Sequence, residues 1–245
     1  MKKTIIALLL SLPFVGFSQS SDYVYPHFKL GFRGGLNLTS LTDFDNNLNY
    51  SLQGSSGIYY SPASQSFGPA LNAGLAAQIA FSPLFSLQPE ANYFQGGGDY
   101  SLTVFGGSTS GTIDMRVRLN YIQIPLLAKL SLGNGNVKFN LFGGPAFAFT
   151  LNGKMTAEAK AMGNSRTFSQ DLKVEDGGLS SLDVQAVVGA GLTIEAGSGD
   201  FIIDLRYIRG FSDINNYGNM PIPSFIKPNY NSVIGINVGY LFYIP

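Results

Sequence analysis

The chain has 245 residues, with 15 basic and 15 acidic side chains and no net charge at neutral pH. Charged residues make up only 12% of the sequence, half of the usual share of roughly 25%, and no basic stripe is visible, which excludes a nucleic-acid partner. The sequence contains no cysteine, and this excludes disulfides, thiolate metal ligands and cysteine nucleophiles.

The N-terminus predicts a secretory signal peptide. Two lysines follow the first methionine, residues 4–12 are almost entirely apolar, and Gly16 and Ser18 are the small residues expected ahead of a cleavage site. We therefore assign residues 1–18 to a signal peptide and residues 19–245 to one domain.

Eight segments after the leader alternate apolar with polar or small residues, which is the period of a β-strand. The clearest covers residues 182–195, where Leu182 and Val184 begin one face and Asp183 and Gln185 the other. A strand of this length exceeds the ordinary 5–6 residues and reaches the about 9–11 residues that cross a bilayer. The predicted strands are Phe28–Leu38, Pro69–Phe81, Leu84–Gln95, Met115–Leu132, Asn136–Phe149, Leu182–Glu195, Asp200–Arg209 and Ser232–Tyr243.

The fourth predicted strand breaks its alternation once. Arg116, Arg118 and Asn120 share one parity, but apolar residues continue that parity from Ile122 onwards. A β-bulge near residues 121–123 would exchange the two faces. Alternatively, residues 116–120 lie beyond the membrane, where facing matters less. The sequence leaves both explanations open.

The connections between these strands alternate strictly between short and long. This regularity is typical of a membrane barrel and has no reason to occur in a soluble β-sandwich, the rival fold. It predicts an all-β, eight-stranded antiparallel up-and-down transmembrane β-barrel in the outer membrane, with short periplasmic turns and long outer loops. The short connections are 82–83, 133–135 and 197–199, and the long ones are 39–68, 96–114, 150–181 and 210–231.

Aromatic residues near the strand ends predict the interfacial girdles of such a barrel. Ordinary core packing is the alternative explanation for them. The residues are Tyr93, Phe94, Tyr121, Phe142, Phe147, Phe149, Tyr207, Tyr240 and Phe242.

Short motifs in a consistent order resemble the PorT-like outer-membrane β-barrel family of Bacteroidota. They are Gly34-Gly35-Leu36-Asn37, Phe85-Ser86-Leu87-Gln88-Pro89-Glu90, Tyr121-Ile122-Gln123-Ile124-Pro125-Leu126-Leu127, Gly143-Gly144-Pro145, and Arg206-Tyr207 with Gly210 and Asp213-Ile214. The resemblance covers the whole chain after the leader and implies an eight-stranded outer-membrane barrel. It implies little about activity, although the founding member of the family is needed for secretion through the type IX system.

Charged residues on the polar faces of the strands predict a side-chain plug in the lumen. Eight strands enclose a space just wide enough for side chains, and buried charges must be paired. We predict a structural charge network of Arg33, Glu90, Glu195, Asp204 and Arg206, with Lys29, Lys138 and Asp183 also facing inward. A gated ion path along the same charges is the alternative.

The sequence offers no catalytic constellation, so we predict no enzyme, cofactor or metal. The single histidine, His27, precedes the first strand and falls at the periplasmic end, away from extracellular substrates. The acidic groups Asp43/Asp45 and Asp171/Glu175/Asp176 either bind calcium loosely or are solvated loop acids.

The outer loops are the predicted functional part, because variable function lies on loops held by a rigid scaffold. They are rich in asparagine, serine and tyrosine, a surface that suits protein or glycan contacts and equally suits packing over the barrel mouth. We predict a non-enzymatic barrel that contacts the lipid bilayer and a partner; a narrow pore, or a barrel associated with transport or secretion, is the alternative.

Overall fold

The computed structural model describes residues 26–42, 59–61, 63–106, 109–133, 135–174, 179–215 and 229–244. The predicted signal peptide, residues 1–18, lies outside these ranges. Within them no helix is long and apolar enough to cross a membrane. The described strands are β1 (His27–Leu41), β2 (Tyr59–Tyr60), β3 (Ser64–Ser66), β4 (Gly68–Ala80), β5 (Phe85–Gly106), β6 (Thr109–Leu132), β7 (Val137–Ala161), β8 (Asn164–Leu172), β9 (Leu182–Ala196), β10 (Gly199–Gly210) and β11 (Asn231–Ile244).

Eight long strands pair antiparallel in a closed ring. The order is β1, β4, β5, β6, β7, β9, β10 and β11, and β11 pairs back with β1. These strands correspond to the eight predicted ones, and the predicted fold class is confirmed. β2 and β3 pair with β5, and β8 pairs with β7, outside the ring. The described strands therefore outnumber the prediction by these three short strands.

The wall of the ring is apolar outside and polar inside, the reverse of a soluble protein. On β6 the outward residues Ile124 and Leu126 are each 44% exposed, whereas the inward residues Gln123 and Lys129 are buried. A closed ring has no unpaired strand edge, so such a wall can face hydrocarbon.

The two faces of β6 do not exchange, which decides between the two explanations for its broken pattern. Val117, Leu119 and Tyr121 are buried on the same parity as Gln123, so Arg116 and Asn120 stay on the outward side. Of the two explanations left open by the sequence, the bulge on β6 is therefore wrong. Arg116 and Asn120 instead lie beyond the band of exposed apolar residues on β6, which agrees with the explanation that residues 116–120 lie beyond the membrane.

A register shift does occur opposite this point, but on the neighbouring strand. Asn120 pairs with Asn152 and Tyr121 pairs with Thr150, so Leu151 of β7 is the extra residue of a β-bulge. The bulge exchanges the faces of β7: Ala148 is buried inside before it, and Gly153 is buried inside after it.

Much of the chain predicted as long loops is β-sheet. Beyond the membrane wall, β5, β6 and β7 continue up to Gly106, Thr109 and Ala161, and β8, β2 and β3 add to their edges. We call this part (residues 97–106, 109–119 and 152–161 with β2, β3 and β8) the outer sheet. The predicted loops at 96–114 and 150–181 are therefore wrong for most of their length. The short connections at the other end, which we call the turn end, are confirmed.

Three of the nine predicted girdle aromatics point into the barrel instead. Phe94 and Tyr121 are buried in the core with ring centroids 5.9 Å apart, and Phe142 lies inside, beneath Arg206. Their inward parity explains the error, because proximity to a strand end does not determine which face a residue takes. The outward Tyr240 and Phe242 form part of an aromatic cluster at the turn end, 4.7 Å apart.

Candidate functional site: the barrel lumen and the outer sheet

Four charged side chains meet across the lumen at mid-height. Arg33 comes from β1, Glu90 from β5, and Asp204 and Arg206 from β10. Arg206 donates two parallel hydrogen bonds to Glu90, Nη1 to Oε2 at 2.8 Å and Nη2 to Oε1 at 2.9 Å. Arg33 Nη1 lies 2.6 Å from Glu90 Oε2. We call these four residues the central network.

Asp204 closes the central network on its other side. It accepts from Arg206 Nε at 2.8 Å and from Arg33 Nη2 at 3.3 Å. Two guanidinium groups face two carboxylates, so the network carries no net charge. Its side chains are at most 7% exposed. Fork-to-fork arginine pairs of this kind are among the strong charge-assisted hydrogen bonds.

Neutral amides complete the hydrogen bonding of both carboxylates. Gln88 Nε2 and Asn92 Nδ2 donate to Glu90 at 2.7 and 2.9 Å, and Asn237 Nδ2 donates to Asp204 at 2.9 Å. These amides satisfy lone pairs that the arginines leave free. A buried ion pair needs such additional hydrogen bonds to offset the cost of its desolvation.

Glycines in the wall provide the space that the two arginines occupy. Arg33 is paired with Gly74 on β4 and Gly239 on β11. Arg206 is likewise flanked by glycine on both sides, Gly189 on β9 and Gly235 on β11. Because neither arginine has a side chain beside it in the ladder, both can extend across the lumen.

Glu195, the fifth residue of the predicted network, lies apart from the other four. Its Oε1 accepts from Lys138 Nζ at 2.7 Å near the turn end, where both side chains are about one-third exposed. Lys29, also predicted to face inward, pairs at 2.5 Å with Asp200. The alternation of faces predicts that these side chains point inward, but it does not predict their position along the barrel axis. Glu195 and Lys29 therefore lie at a different level from the central network.

The alternation of faces on β6 and β10 could have identified two further lumen residues, Lys129 and Asp200. Lys129 is buried on the inward face of β6, and its ammonium group contacts the neutral acceptors Gln78 Oε1 and Thr193 Oγ1, each at 3.3 Å. Both escaped prediction because they lie near the ends of apolar strands.

Two small cavities adjoin the central network. One cavity is lined by Lys129, Gln88 and Asn140, and another by Asn37, Asn92 and Asn237 among others. In each cavity the centre of a water molecule can occupy about 10 Å³. A space of this size holds roughly one water molecule.

An apolar cluster lies at the outer-sheet end of the lumen. Inward residues of the strands, including Phe94, Leu119 and Tyr121, pack with Leu179 and Ile214 from the connections. Ser180 N donates to Ile214 O at 2.8 Å, which ties the two connections together. We call this group the apolar cap.

The outward face of the outer sheet is polar and carries paired charges. Lys160 Nζ lies 3.1 Å from Asp114 Oδ2 and 3.3 Å from Glu158 Oε2. The hydrogen bonds from Ser101 and Lys160 lower the pKa of Asp114, and those from Ser165 and Lys160 lower the pKa of Glu158. The hydrogen bonds of Lys160 to Asp114 and Glu158 raise the pKa of Lys160, and the one to Asp114 has the larger effect.

The structure gives no support to a catalytic or metal site among the residues it describes. His27 is the first residue of β1, paired with Ala80 at the turn end. No group of three or more histidine, aspartate or glutamate side chains in the described ranges could hold a metal ion. Asp43, Asp45, Glu175 and Asp176, the predicted loop acids, lie outside those ranges.

Comparison with solved structures finds similar chains at low sequence identity. Ail, the attachment invasion locus protein of Yersinia pestis, is 14% identical, with 87% of this chain and 98% of that chain covered and a TM-score of 0.35. OprG from Pseudomonas aeruginosa is 13% identical, with coverages of 89% and 96% and a TM-score of 0.39. Neisserial surface protein A is 11% identical, with coverages of 86% and 95% and a TM-score of 0.38.

Comparison with curated proteins finds no match. Comparison with protein families matches residues 17–216 to the outer membrane protein beta-barrel domain. This match covers most of the chain and agrees with the closed ring, the apolar outer wall and the polar lumen. The protein therefore belongs to the outer membrane protein beta-barrel domain family and lies in the outer membrane.

Proposed function

We propose that this protein is a closed, non-enzymatic outer-membrane barrel whose lumen is structural and whose external part makes the functional contacts. The central network holds the strands together from inside, and the outer sheet presents a rigid surface beyond the membrane. In this orientation the short turns face the periplasm and the outer sheet faces outward.

The observation that carries the proposal is the obstruction of the lumen at two levels. At mid-height, Arg33, Glu90, Asp204 and Arg206 bond to one another across the barrel. Beyond them, the apolar cap fills the outer mouth with buried hydrophobic side chains. A hydrated ion would have to break a bidentate ion pair and then cross an apolar layer, and both steps are costly.

The alternative of a narrow pore needs a continuous wet path. The cavities beside the central network each accommodate on the order of one water. The structure thus favours trapped solvent over a channel.

Single-channel recording in planar lipid bilayers tests the proposal. The refolded protein, shown to be folded by a gel shift between unboiled and boiled samples, should give no stepwise conductance, whereas a general porin in the same bilayers provides the positive control. Reproducible ohmic steps from the folded protein would contradict a closed barrel and establish the pore.

We also propose that the protein is one of the PorT-like outer-membrane barrels and that its leader, residues 1–18, is cleaved. The motif at Gly34-Gly35 lies on β1 and the Tyr121–Leu127 motif lies on β6, so both fall on wall strands as the resemblance implies. N-terminal sequencing of the protein from isolated outer membranes should begin at Gln19; a sequence that begins at Met1 would refute the leader.

A further inference from the structure

Three neighbouring strands of the membrane wall each contain a proline. Pro89 lies on β5, Pro125 on β6 and Pro145 on β7. A proline has no backbone N–H and cannot donate to a ladder, so within sheets it is normally confined to edge strands, first residues of strands and bulges. None of the three begins its strand, and a closed ring has no edge strand. Their place inside the wall therefore needs a physical explanation.

Each proline coincides with a gap in the pairing of one ladder. The pairs on either side of each gap keep one register, and this register shows which residue stands opposite each proline. The missing pairs are Pro89 with Ala77 between β4 and β5, Pro125 with Glu90 between β5 and β6, and Pro145 with Leu126 between β6 and β7.

The three missing pairs form one row across the wall, which we call the proline row. Glu90 directly follows Pro89 on β5, and Leu126 directly follows Pro125 on β6. The row thus passes from β4 to β7 with a step of one residue on each strand it crosses. The remaining ladders, from β7 through β9, β10, β11 and β1 to β4, are paired without a gap.

Each missing pair deprives one backbone carbonyl of its donor in the ladder. The three carbonyls are those of Ala77, Glu90 and Leu126. They lie at the level of the apolar wall, where the outward side chains of Ile124 and Leu126 face lipid. No water in the hydrocarbon replaces a lost bond, and an unpaired polar group there is costly. The pairing of the wall is therefore weakest along the proline row.

The central network meets the proline row at Glu90. The backbone of Glu90 belongs to the row, and its carboxylate accepts from both arginines of the network. Arg33 comes from β1 and Arg206 from β10, two strands whose ladders have no gap. The ion pairs thus connect the interrupted side of the ring to its continuous side, at the residue where a backbone bond is missing.

We propose that the proline row is a line along which β4, β5, β6 and β7 separate locally, and that the central network keeps these strands together through Glu90. Two observations carry the inference: three successive ladders are interrupted in one row, and Glu90 belongs to both the row and the network. Local opening is thereby confined to one side of the ring while the other side stays paired. The inference rests on the proposed structural role of the lumen.

Amide hydrogen exchange, followed by NMR in the micelle-bound full-length protein, measures this local opening. The amides of Ala77, Glu90 and Leu126 should exchange on the order of tenfold faster than amides in the middle of β9, β10 and β11, because local opening exposes them without unfolding of the ring. Equal protection on the two sides of the ring would overturn the proposal.

Replacement of the two outward prolines tests their part directly. The double variant Pro89→Ala/Pro145→Ala restores two donors without a change in the lumen, and exchange at Ala77 and Leu126 should slow on the order of tenfold. The control Pro69→Ala makes the same change where the ladder of β4 with β1 is continuous, and it should leave both amides unchanged. No slowing in the double variant, or equal slowing in the control, would overturn the proposal.

Glu90→Gln tests the part of the central network. Exchange should accelerate more along the proline row than in β9, β10 and β11, whereas the matched change Glu195→Gln near the turn end should have no such selective effect. Equal acceleration on both sides of the ring would refute the link between the network and the row. A protein that fails these exchange tests but gives no conductance would leave the closed-barrel proposal intact.

Discussion

Arg206 and Glu90 form a bidentate ion pair across the lumen, although 116 residues separate them in the chain. The pair joins β10 to β5 on different sides of the ring. It therefore acts as a cross-brace between strands that share no backbone hydrogen bonds.

Replacement of Glu90 by glutamine should strongly destabilise the barrel. The change keeps the shape of the side chain but leaves two arginines facing one carboxylate in a buried site. Removal of one partner of a buried ion pair typically costs about 3–5 kcal/mol. Urea unfolding of the micelle-bound protein should show this loss, and the temperature of the gel shift should fall.

Two comparisons make this prediction specific. Glu195→Gln breaks a pair with Lys138 that is about one-third exposed, and it should cost only about 0–1 kcal/mol. The double variant Glu90→Gln/Arg206→Met removes both partners and should be less destabilised than the sum of the single changes. A Glu90→Gln protein as stable as wild type would show that the central network is not a brace.

Gly189 should not tolerate a side chain. A Cβ at this inward position would overlap the Phe142 ring, which itself lies 5.0 Å below the Arg206 guanidinium. Gly189→Ala should therefore lower the free energy of unfolding by about 1–3 kcal/mol, a typical cost of overpacking.

Gly34→Ala is the matched control for that change. The nearest atom to its Cβ would be the Asn72 carbonyl oxygen at 3.4 Å, an ordinary contact. Urea unfolding should give a clearly lower free energy of unfolding for Gly189→Ala than for Gly34→Ala. If Gly34→Ala proved as harmful as Gly189→Ala, the loss would reflect the strand backbone and not the space around Arg206.

The ring of eight strands was predictable because a membrane wall imposes a simple pattern on the sequence. Each wall strand needs an apolar face towards lipid, and residues 182–195 display that face without interruption. The outer sheet was missed because no lipid contact reinforces its pattern. Its alternation is nonetheless present: Met155, Ala157 and Ala159 alternate with polar residues from Lys154 to Lys160.

The contents of the lumen were only partly predictable for a different physical reason. The parity of a residue gives its face, so Arg33, Glu90, Asp204 and Arg206 could be assigned to the interior. Height along the barrel depends on the register between strands, and the sequence pattern does not report it. Glu195 consequently lies with Lys138 near the turn end instead of in the central network.

Deletion of Leu151 should disrupt the outer sheet while the membrane wall survives. The bulge at this residue is what directs Lys154, Glu158 and Lys160 outward and Gly153 inward. Without it the charged residues would point towards the apolar cap, where their desolvation would be costly. Brief protease treatment of vesicles should then cleave the deletion variant within residues 152–172.

Leu151→Ala retains the extra residue and serves as the control for the deletion. Its outer sheet should resist protease as the wild type does, because the register is unchanged. Mass spectrometry of the fragments locates the cleavage sites. Protection of the deletion variant equal to that of Leu151→Ala would show that the bulge does not determine the faces of β7 beyond the membrane.

Lys160→Gln should raise the pKa of both neighbouring carboxyl groups towards their ordinary values. In the wild type, contacts with Lys160 help to hold the pKa of Asp114 and of Glu158 below that range. Because the folded-state pKa is depressed, these carboxylates stabilise the outer sheet above their unfolded pKa values, and that stabilisation is lost as the pH falls through the folded ones. Carboxyl-carbon NMR titration of the micelle-bound protein between pH 2 and 7, a range that brackets the roughly 4 of ordinary carboxyls, measures both shifts. The Ser101 and Ser165 hydrogen bonds remain in the variant, so each pKa should rise only part of the way. Unchanged titration curves would mean that Lys160 does not contact these carboxylates in solution.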